Sequence, residues 1–375
     1  MGEIVEEETI CKRVVYINTI NRNLGQVSEE TLGKIVQAIE KCKRLIYVAE
    51  GRSRSGLLIG MRGIRRRTFT QKDSSFHWRN IKKAAAHLDR KDGLTVLLVN
   101  SQSGSTTSPK EAVKDLRYFI NQTGSKKFII CCVTAHPESE IAKNSDIVLQ
   151  LKGSEEKEEK IPQPSGINEM MGDVFELGSI ILFHAIKKGV NNGLNAKEIL
   201  ALVKEEMKII GSLVDNYLAD SHYTEMVEKI SSSPKIIFGG VGPDEEVATM
   251  TSIRTKHVVN VLGREAYIAG PLAPSAQPGV LMVLISWSGE TASVLDWRDK
   301  YNKGGAAVFS IVGTADSSLT KNTRSYILKA PVDKFYMRAA FLLSPVPGGV
   351  MENFRSRGIY IPEETIRALG HTKTE

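Results

Sequence analysis

Two distant stretches of the chain repeat one pattern of apolar and polar positions. Leu94-Thr-Val-Leu-Leu-Val-Asn100 is an apolar, β-branched run that stops at the hydroxyl-rich Ser101-Gln-Ser-Gly-Ser-Thr-Thr107. Pro109 stands where a helix begins, and Val113, Leu116, Phe119 and Ile120 carry helical spacing. Gly279-Val-Leu-Met-Val-Leu-Ile285 is likewise apolar and gives way to Ser286-Trp-Ser-Gly-Glu-Thr291, then to a helix bearing Val294 and Trp297. Runs of this kind predict strands buried on both faces, as in parallel sheets. Similar runs at 44–50, 127–134, 146–151, 306–312 and 325–328, with another starting at Lys235, alternate with helical segments. The whole reads as α/β.

The intervening segments fill out this plan. Residues 1–43 read as largely helical, with Ser28 capping a helix that opens on Glu29-Glu30. Gly51-Arg-Ser-Arg-Ser-Gly56 reads as a glycine-flanked loop after a strand, with a helix starting at Leu57. It has neither the dinucleotide-binding glycine spacing nor a P-loop lysine. Residues 69–92 read as a polar insertion containing Phe76, His77 and Trp78, helical from Ile81 to Leu88. The charge run 153–160 must be solvated, as a linker or a lid. Residues 177–186 form an apolar helix that Gly189-Val-Asn-Asn-Gly193 breaks, which predicts domains at 1–193 and 194–375.

Composition narrows the class. Apolar residues make up 41% and charged residues 25% of the chain, as in soluble globular proteins, and no run is long enough to span a bilayer. The acidic start, Met1-Gly-Glu-Ile-Val-Glu-Glu-Glu8, lacks a signal peptide's basic region, so a cytoplasmic location is expected. Cys11, Cys42, Cys131 and Cys132 have no metal or redox spacing, and adjacent cysteines on a strand point to opposite faces. All four read as reduced core residues. A net charge of +7 suits an anionic substrate. No nucleic-acid motif appears, and Arg62, Arg65, Arg66 and Arg67 read as a solvated face or subunit contact on a helix or its end.

The candidate chemistry lies at the strand ends. A helix N-terminus presents unpaired N–H groups and a dipole that favours an anion. Ser101, Ser103, Ser105, Thr106 and Thr107 would add hydroxyl donors, as Ser286, Ser288 and Thr291 would in the second stretch. Either loop alone also fits a serine-rich turn with one cap, and the recurrence is what favours a phosphate cradle. Glu176 opens an apolar helix, where burial would raise its pKa and fit it for proton transfer. A glutamate stabilised by the helix dipole is the alternative.

The two S-x-S-G-x-T loops behind buried strands resemble the sugar isomerase (SIS) domain, a doubly wound module that binds phosphosugars. The first half is similar to the 6-phospho-3-hexuloisomerase branch of that family. Gly51, Arg54, Ser55, Gly56 and Leu57 match its G-x-G-R-S-G-L loop, with Ser53 in place of a glycine. Met171-Gly172-x-x-Phe175-Glu176 matches its Q-P-M-G-x-L-F-E segment, whose glutamate is the family's proposed base. The family carries an Arg and then a His on the helix after the first loop. Arg65 matches that Arg, but Thr68 stands where the His belongs, whereas Arg254 and His257 supply both in the second half. Pro243-Asp244 replaces Arg-Ser there, and an acidic loop would repel phosphate. Glu265-Ala-Tyr267 and Pro271-Leu-Ala273 also resemble the isomerase domain of glucosamine-6-phosphate synthase, without its histidine or lysine. Gly348-Gly-Val-Met-Glu352 echoes the Glu176 segment, making Glu352 a second-site candidate, although Pro345 and Pro347 argue against a helix there.

The resemblance implies two tandem SIS-type domains, each a parallel five-stranded sheet flanked by helices. In single-domain relatives the sites lie between subunits, so the two halves should pair, with a homodimer beyond. The implied activity is phosphosugar isomerisation through an enediolate, from 3-hexulose 6-phosphate to fructose 6-phosphate. Glu176 would act as base, His257 as acid, and Arg54, Ser55, Arg254 and the hydroxyl loops would bind substrate. Another aldose–ketose or amino-sugar phosphate isomerase and a non-catalytic phosphosugar sensor are the alternatives. Neither metal nor cofactor is implied, and no nucleic-acid or membrane partner.

Overall fold

A computed structural model of the chain describes residues 9–70, 81–154 and 172–359. Its described residues form two compact units, each built on a five-stranded parallel sheet. No helix among them is long and apolar enough to cross a membrane.

The first unit comprises Thr19–Ser154 and Val174–Glu206. In chain order its elements are α1 (Val15–Gly25, entering from the other unit), α2 (Glu29–Lys41), β1 (Arg44–Val48), α3 (Gly51–Gly60), β2 (Arg67–Thr70), α4 (Ile81–Asp89), β3 (Thr95–Asn100), α5 (Thr107–Thr123), β4 (Phe128–Thr134), α6 (Glu140–Lys143), β5 (Ile147–Gln150), α7 (Asp173–Asn192) and the start of α8 (Ala196–Leu218). The strand order is β2-β1-β3-β4-β5. Every residue of β1 and β3 is buried, which is why these strands read as continuous apolar runs rather than alternating ones. Ser28 caps α2 as expected, its hydroxyl accepting from the Thr31 N–H at 3.2 Å.

The second unit holds residues 9–18, 172–173 and 207–359. After the end of α8 come α9 (Ser221–Ser232), β6 (Lys235–Gly239), α10 (Pro243–Val259), β7 (Glu265–Ile268), β8 (Val280–Ser286), α11 (Ala292–Lys303), β9 (Ala307–Val312), β10 (Arg324–Ile327), α12 (Val332–Leu343) and α13 (Val346–Ser356). The order β10-β9-β8-β6-β7 is the first sheet's order read from the other edge.

Several local expectations change. Gly51-Arg-Ser-Arg-Ser-Gly56 is the opening of α3, not a loop. That helix ends at Gly60, so Arg62 to Arg66 lie beyond it and Arg67 opens β2. The segment read as an insertion thus begins with an edge strand paired to β1 and continues, after residues 71–80, into α4. Phe76, His77 and Trp78 lie outside the described residues, as do residues 155–171 with most of the charge run and Met171. The helix α7 runs through Gly189, because α8 approaches so closely there that a Cβ would meet Ile199 Cδ1 at 2.3 Å. That contact keeps the start of α8 in the first unit. Residues 9–18 join the second unit instead: Asp215 accepts the backbone N–H groups of Lys12 and Arg13 at 2.8 and 2.9 Å. Grouped by packing, the two units meet within α8, between Glu206 and Met207. Helix α13 forms despite its prolines, which sit at its N-terminal end where a missing N–H removes no helical bond. The four cysteines are buried free thiols, and burial raises Cys42 to about 11 and Cys11 to about 12.

Candidate functional site

In a doubly wound sheet the ligand crevice opens where the strand order reverses, beyond the strand C-termini. In the first unit that point lies between β1 and β3, so the start of α3 and the 101–107 loop flank it. The side chain of Asn100, the last residue of β3, ties the flanks together. Its Nδ2 donates to the Ser53 carbonyl on α3 at 2.9 Å and to the Ser179 hydroxyl on α7 at 3.1 Å.

The hydroxyl loop is held by its own polar groups. Ser101 is buried, with its Oγ 3.2 Å from Thr106 Oγ1. Gly104 adopts a left-handed φ of 60°, and a Cβ there would lie 1.9 Å from Ser139 Oγ. Its carbonyl accepts the Ile141 N–H at 3.1 Å. Ser103 Oγ accepts from the Ser105 N–H at 3.3 Å and from the Ser105 hydroxyl at 3.0 Å. Ser103, Ser105, Thr106 and Thr107 are exposed at the N-terminus of α5, whose first turn holds no acidic residue and whose N-cap side chain makes no capping bond. Exposed hydroxyls therefore share one open rim with the positive end of the α5 dipole, which suits an anion.

Glu176 reaches this unit from α7. Its carboxylate is buried and pairs with Arg52, Oε2 lying 2.9 Å from Nε with side chains 9% and 10% exposed. Helical spacing explains the encounter. Arg52, Gly56 and Gly60 fall on one stripe of α3, and Glu176 and Ile180 on one stripe of α7. The two glycines let the helices close: a Cβ at Gly60 would lie 2.5 Å from Phe183 Cβ, and one at Gly56 3.0 Å from Ser179 Oγ. Sequence reasoning missed Arg52 because it took residues 51–56 for a loop, in which no face is defined. The Arg52 guanidinium beside Glu176 is a neighbour that a reading from burial alone did not include. Arg54 is half-buried, and Ser55 is buried within α3 rather than open to the crevice. Arg65, past the end of α3, lies just before β2, at the start rather than the tip of the strands.

The second unit repeats the loop. Ser286 is buried, its Oγ 3.5 Å from Thr291 Oγ1 and accepting from the Gly289 N–H at 3.1 Å. Gly289 has φ 66°, Ser317 packs beneath it as Ser139 does beneath Gly104, and its carbonyl accepts the Leu319 N–H at 3.1 Å. Ser288 Oγ accepts from the Glu290 N–H at 3.2 Å. The surroundings differ. Register places Asp244 of α10 where the first unit has Ser53, counting from the matched pairs Val48–Val99 and Gly239–Leu284. Asp244 is buried and its Oδ1 has no hydrogen-bond partner. Burial raises its pKa to about 8, and the Trp287 backbone amide acts in the opposite direction.

Arg254 on α10 is fully buried, with Nε 2.5 Å from Asp173 Oδ1, so it serves an internal ion pair rather than an open surface. The cost of burying two charges is offset only by close mutual contact. His257, one turn further along, is half-buried. Arg54, Ser55 and Glu176 thus belong to the first unit, and Arg254 and His257 to the second. Glu352 pairs with Arg355 along α13, which packs on α9 with Phe354 beneath Arg264, the residue preceding β7. That places Glu352 toward the strand starts, away from the second hydroxyl loop. It is not the counterpart of Glu176, which opens its helix whereas Glu352 nears the end of one. Among the described residues no group of three or more His, Cys, Asp or Glu could hold a metal ion.

No protein-family model matches the chain. An uncharacterised protein of Archaeoglobus fulgidus is 30% identical over 123 residues, which span 32% of this chain and 63%, under two thirds, of that protein. Three solved structures align along nearly the whole chain. The C-terminal domain of glucosamine-fructose-6-phosphate aminotransferase from Francisella tularensis has a TM-score of 0.60 at 16% identity, covering 89% of this chain and 92% of that one. Tagatose-6-phosphate ketose/aldose isomerase from Escherichia coli gives 0.55 at 13%, covering 91% and 92%. Glucosamine-6-phosphate deaminase from Thermotoga maritima gives 0.51 at 16%, covering 92% and 94%. At these identities the likeness is one of fold: two parallel five-stranded sheets flanked by helices.

Proposed function

We propose that this chain is a phosphosugar isomerase whose substrate site lies at the tip of the first sheet. The observation that carries the reading is the juxtaposition across one strand-order reversal of an open hydroxyl rim and a buried carboxylate–guanidinium pair. Ser103, Ser105, Thr106 and the positive end of the α5 dipole hold the phosphate. Glu176 removes the proton α to the sugar carbonyl, with the Arg52 guanidinium held against its carboxylate. The same guanidinium offers positive charge to the oxygens of the developing enediolate. The fold neighbours named for aldose–ketose isomerisation and amino-sugar phosphate chemistry support this class of reaction. The motif match at Gly172, Phe175 and Glu176 favours 3-hexulose 6-phosphate and fructose 6-phosphate within it.

Solvent deuterium tests the reading. With fructose 6-phosphate in heavy water, the native chain should place deuterium on the carbon next to the carbonyl. Glu176→Gln should lose about 100-fold or more of that exchange, the usual contribution of a general base, while still binding the sugar phosphate. Ser103→Ala with Ser105→Ala should instead weaken binding. A panel of hexulose and pentose phosphates that all bind without exchange would replace this with a binding-only role, which the existing Arg52–Glu176 contact would serve as a structural clamp.

A further inference from the structure

The first unit has a second feature that the strand-tip site leaves unused. Where β1 and β2 begin, a groove of about 570 Å³ is lined by Lys41, Lys43, Arg44, Arg65, Arg66 and Arg67, with Glu40 and Cys42. Six basic side chains thus meet one lining carboxylate. The groove lies at the strand starts and the hydroxyl loop follows the strand ends. The length of β1, roughly 15 Å at the usual rise, therefore separates the two.

The basic residues divide by role. Arg66 is committed to the end of α2, donating to the carbonyls of Ile39 and Glu40 at 3.1 and 2.9 Å, which covers the negative end of that helix. Arg44 is buried and donates from Nε to Thr95 Oγ1 at 3.0 Å and from Nη2 to the Gly93 carbonyl at 2.7 Å. Its Nη1 makes no hydrogen bond among the described residues, and burial together with the like charge of Arg67 lowers its pKa. Lys41, Lys43, Arg65 and Arg67 are exposed and form no salt bridge among the described residues, Arg67 resting on the Phe69 ring with its guanidinium carbon 5.1 Å from the centroid. Repulsion between these charges is a standing cost, and an anion in the groove would remove it.

We propose that this groove is an anion site for a small oligophosphate, a chain of two or more phosphates, free or carried on a nucleotide. Its volume is that of a small-molecule site. Cations on both walls, Lys41 and Lys43 against Arg65 and Arg67, match a ligand with several charges better than a single phosphate. Among the described residues the groove lining holds no aromatic side chain, and Phe69, beneath Arg67, is buried. The phosphates are what is read.

Calorimetric titration of the full chain tests this in about 50 mM salt, where screening is weak over the width of the groove. Tripolyphosphate and ATP should bind one per chain with similar affinity, and orthophosphate about tenfold or more weaker. Arg65→Ala with Arg67→Ala should weaken tripolyphosphate binding about tenfold or more, and so should Lys41→Ala with Lys43→Ala on the facing wall. Both pairs should keep the native circular dichroism and urea midpoint. Ser103→Ala with Ser105→Ala should leave tripolyphosphate binding unchanged, which separates this groove from the strand-tip site. Absence of binding to the native chain would overturn the proposal, as would a loss confined to the serine variant. ATP binding much more tightly than tripolyphosphate would show a base-reading site elsewhere. A single-stranded oligonucleotide that displaces tripolyphosphate at lower concentration would make the groove a nucleic-acid track instead.

Discussion

Replacing Arg52 by Met removes the cation from a carboxylate that stays buried. At the 2.9 Å separation of Nε and Oε2, the gross attraction is about 6 kcal/mol with an effective dielectric constant near 20. Desolvation of both groups cancels much of that, so the pair adds little over an apolar replacement of both. Removing one partner alone is different, because the other keeps its desolvation cost, and measured losses in such cases are about 3–5 kcal/mol. Arg52→Met should therefore destabilise the first unit by roughly that amount. Glu176→Gln should cost less, about 1–3 kcal/mol, since an amide still accepts from the guanidinium and Arg52 can turn toward water. The double variant Arg52→Met/Glu176→Gln should be more stable than the sum of the two losses predicts, by about 1.5 kcal/mol or more. Urea unfolding at constant m-value measures all four corners of the cycle. Additivity within about 0.5 kcal/mol would show that the two groups do not sense each other. The account of Arg52 and Glu176 as a coupled buried pair would then be wrong.

Two further outcomes follow from the packing and from the displaced pKa values. Gly60→Ala should cost about 1–3 kcal/mol by forcing α3 off α7, the expected penalty for overpacking, and should lower isomerase activity through the displaced Arg52; an unchanged urea midpoint would contradict the close approach. In the second unit, Asp244 is raised from 3.8 to about 8 and His222 is lowered from 6.5 to about 4. The folded state holds Asp244's proton where the unfolded chain has lost it, so this group's contribution falls as pH rises from about 4 to about 8. For His222 the unfolded chain binds the extra proton, so that contribution is lost as pH falls from 6.5 to about 4. Of these two groups only Asp244 acts between 6.5 and 8, and its contribution should decline there by up to about 1.4 kcal/mol per pH unit. Asp244→Asn should flatten that slope in urea melts at several pH values, and an unaltered slope would count against a buried neutral carboxyl.

The strands were legible because continuous apolar runs have one economical use in an α/β chain, and both hydroxyl loops were legible because short polar residues directly after such runs have few other reasons to be there. Three things were hidden. The start of α3 looked like a loop, since Gly51, Ser53 and Ser55 carry low helix propensity, yet Asn100 and the α7 contact hold the segment helical. That misreading concealed the Arg52–Gly56–Gly60 stripe. Arg254 matched a ligand-binding pattern by position, but its partner Asp173 lies 81 residues away, and no local rule connects the two. Glu352 copied the spacing of Glu176 without copying its place at the head of a helix, which only the topology reveals.

The two units also show which part of such a site is free to change. Their loops share a left-handed glycine, a serine beneath it and a carbonyl that accepts the N–H two residues past that serine. This wiring uses backbone groups and short hydroxyls, none of which titrates, so it persists whatever charge surrounds it. The charged positions obey no such constraint. At the start of α3 the chain carries Arg52 and Arg54, and at the matched turn of α10 it carries Pro243, Asp244 and Glu245. In the loop itself Glu290 stands where Ser105 does and accepts the Ser318 N–H at 2.5 Å. A charge about 4 Å from a phosphate is worth on the order of 4 kcal/mol at an effective dielectric constant near 20. Glu290 in place of Ser105 therefore disfavours an anion at the second loop without moving the backbone. The proposed substrate phosphate is therefore assigned to the first loop, and the second keeps the same hydrogen-bonded shape with a carboxylate in it.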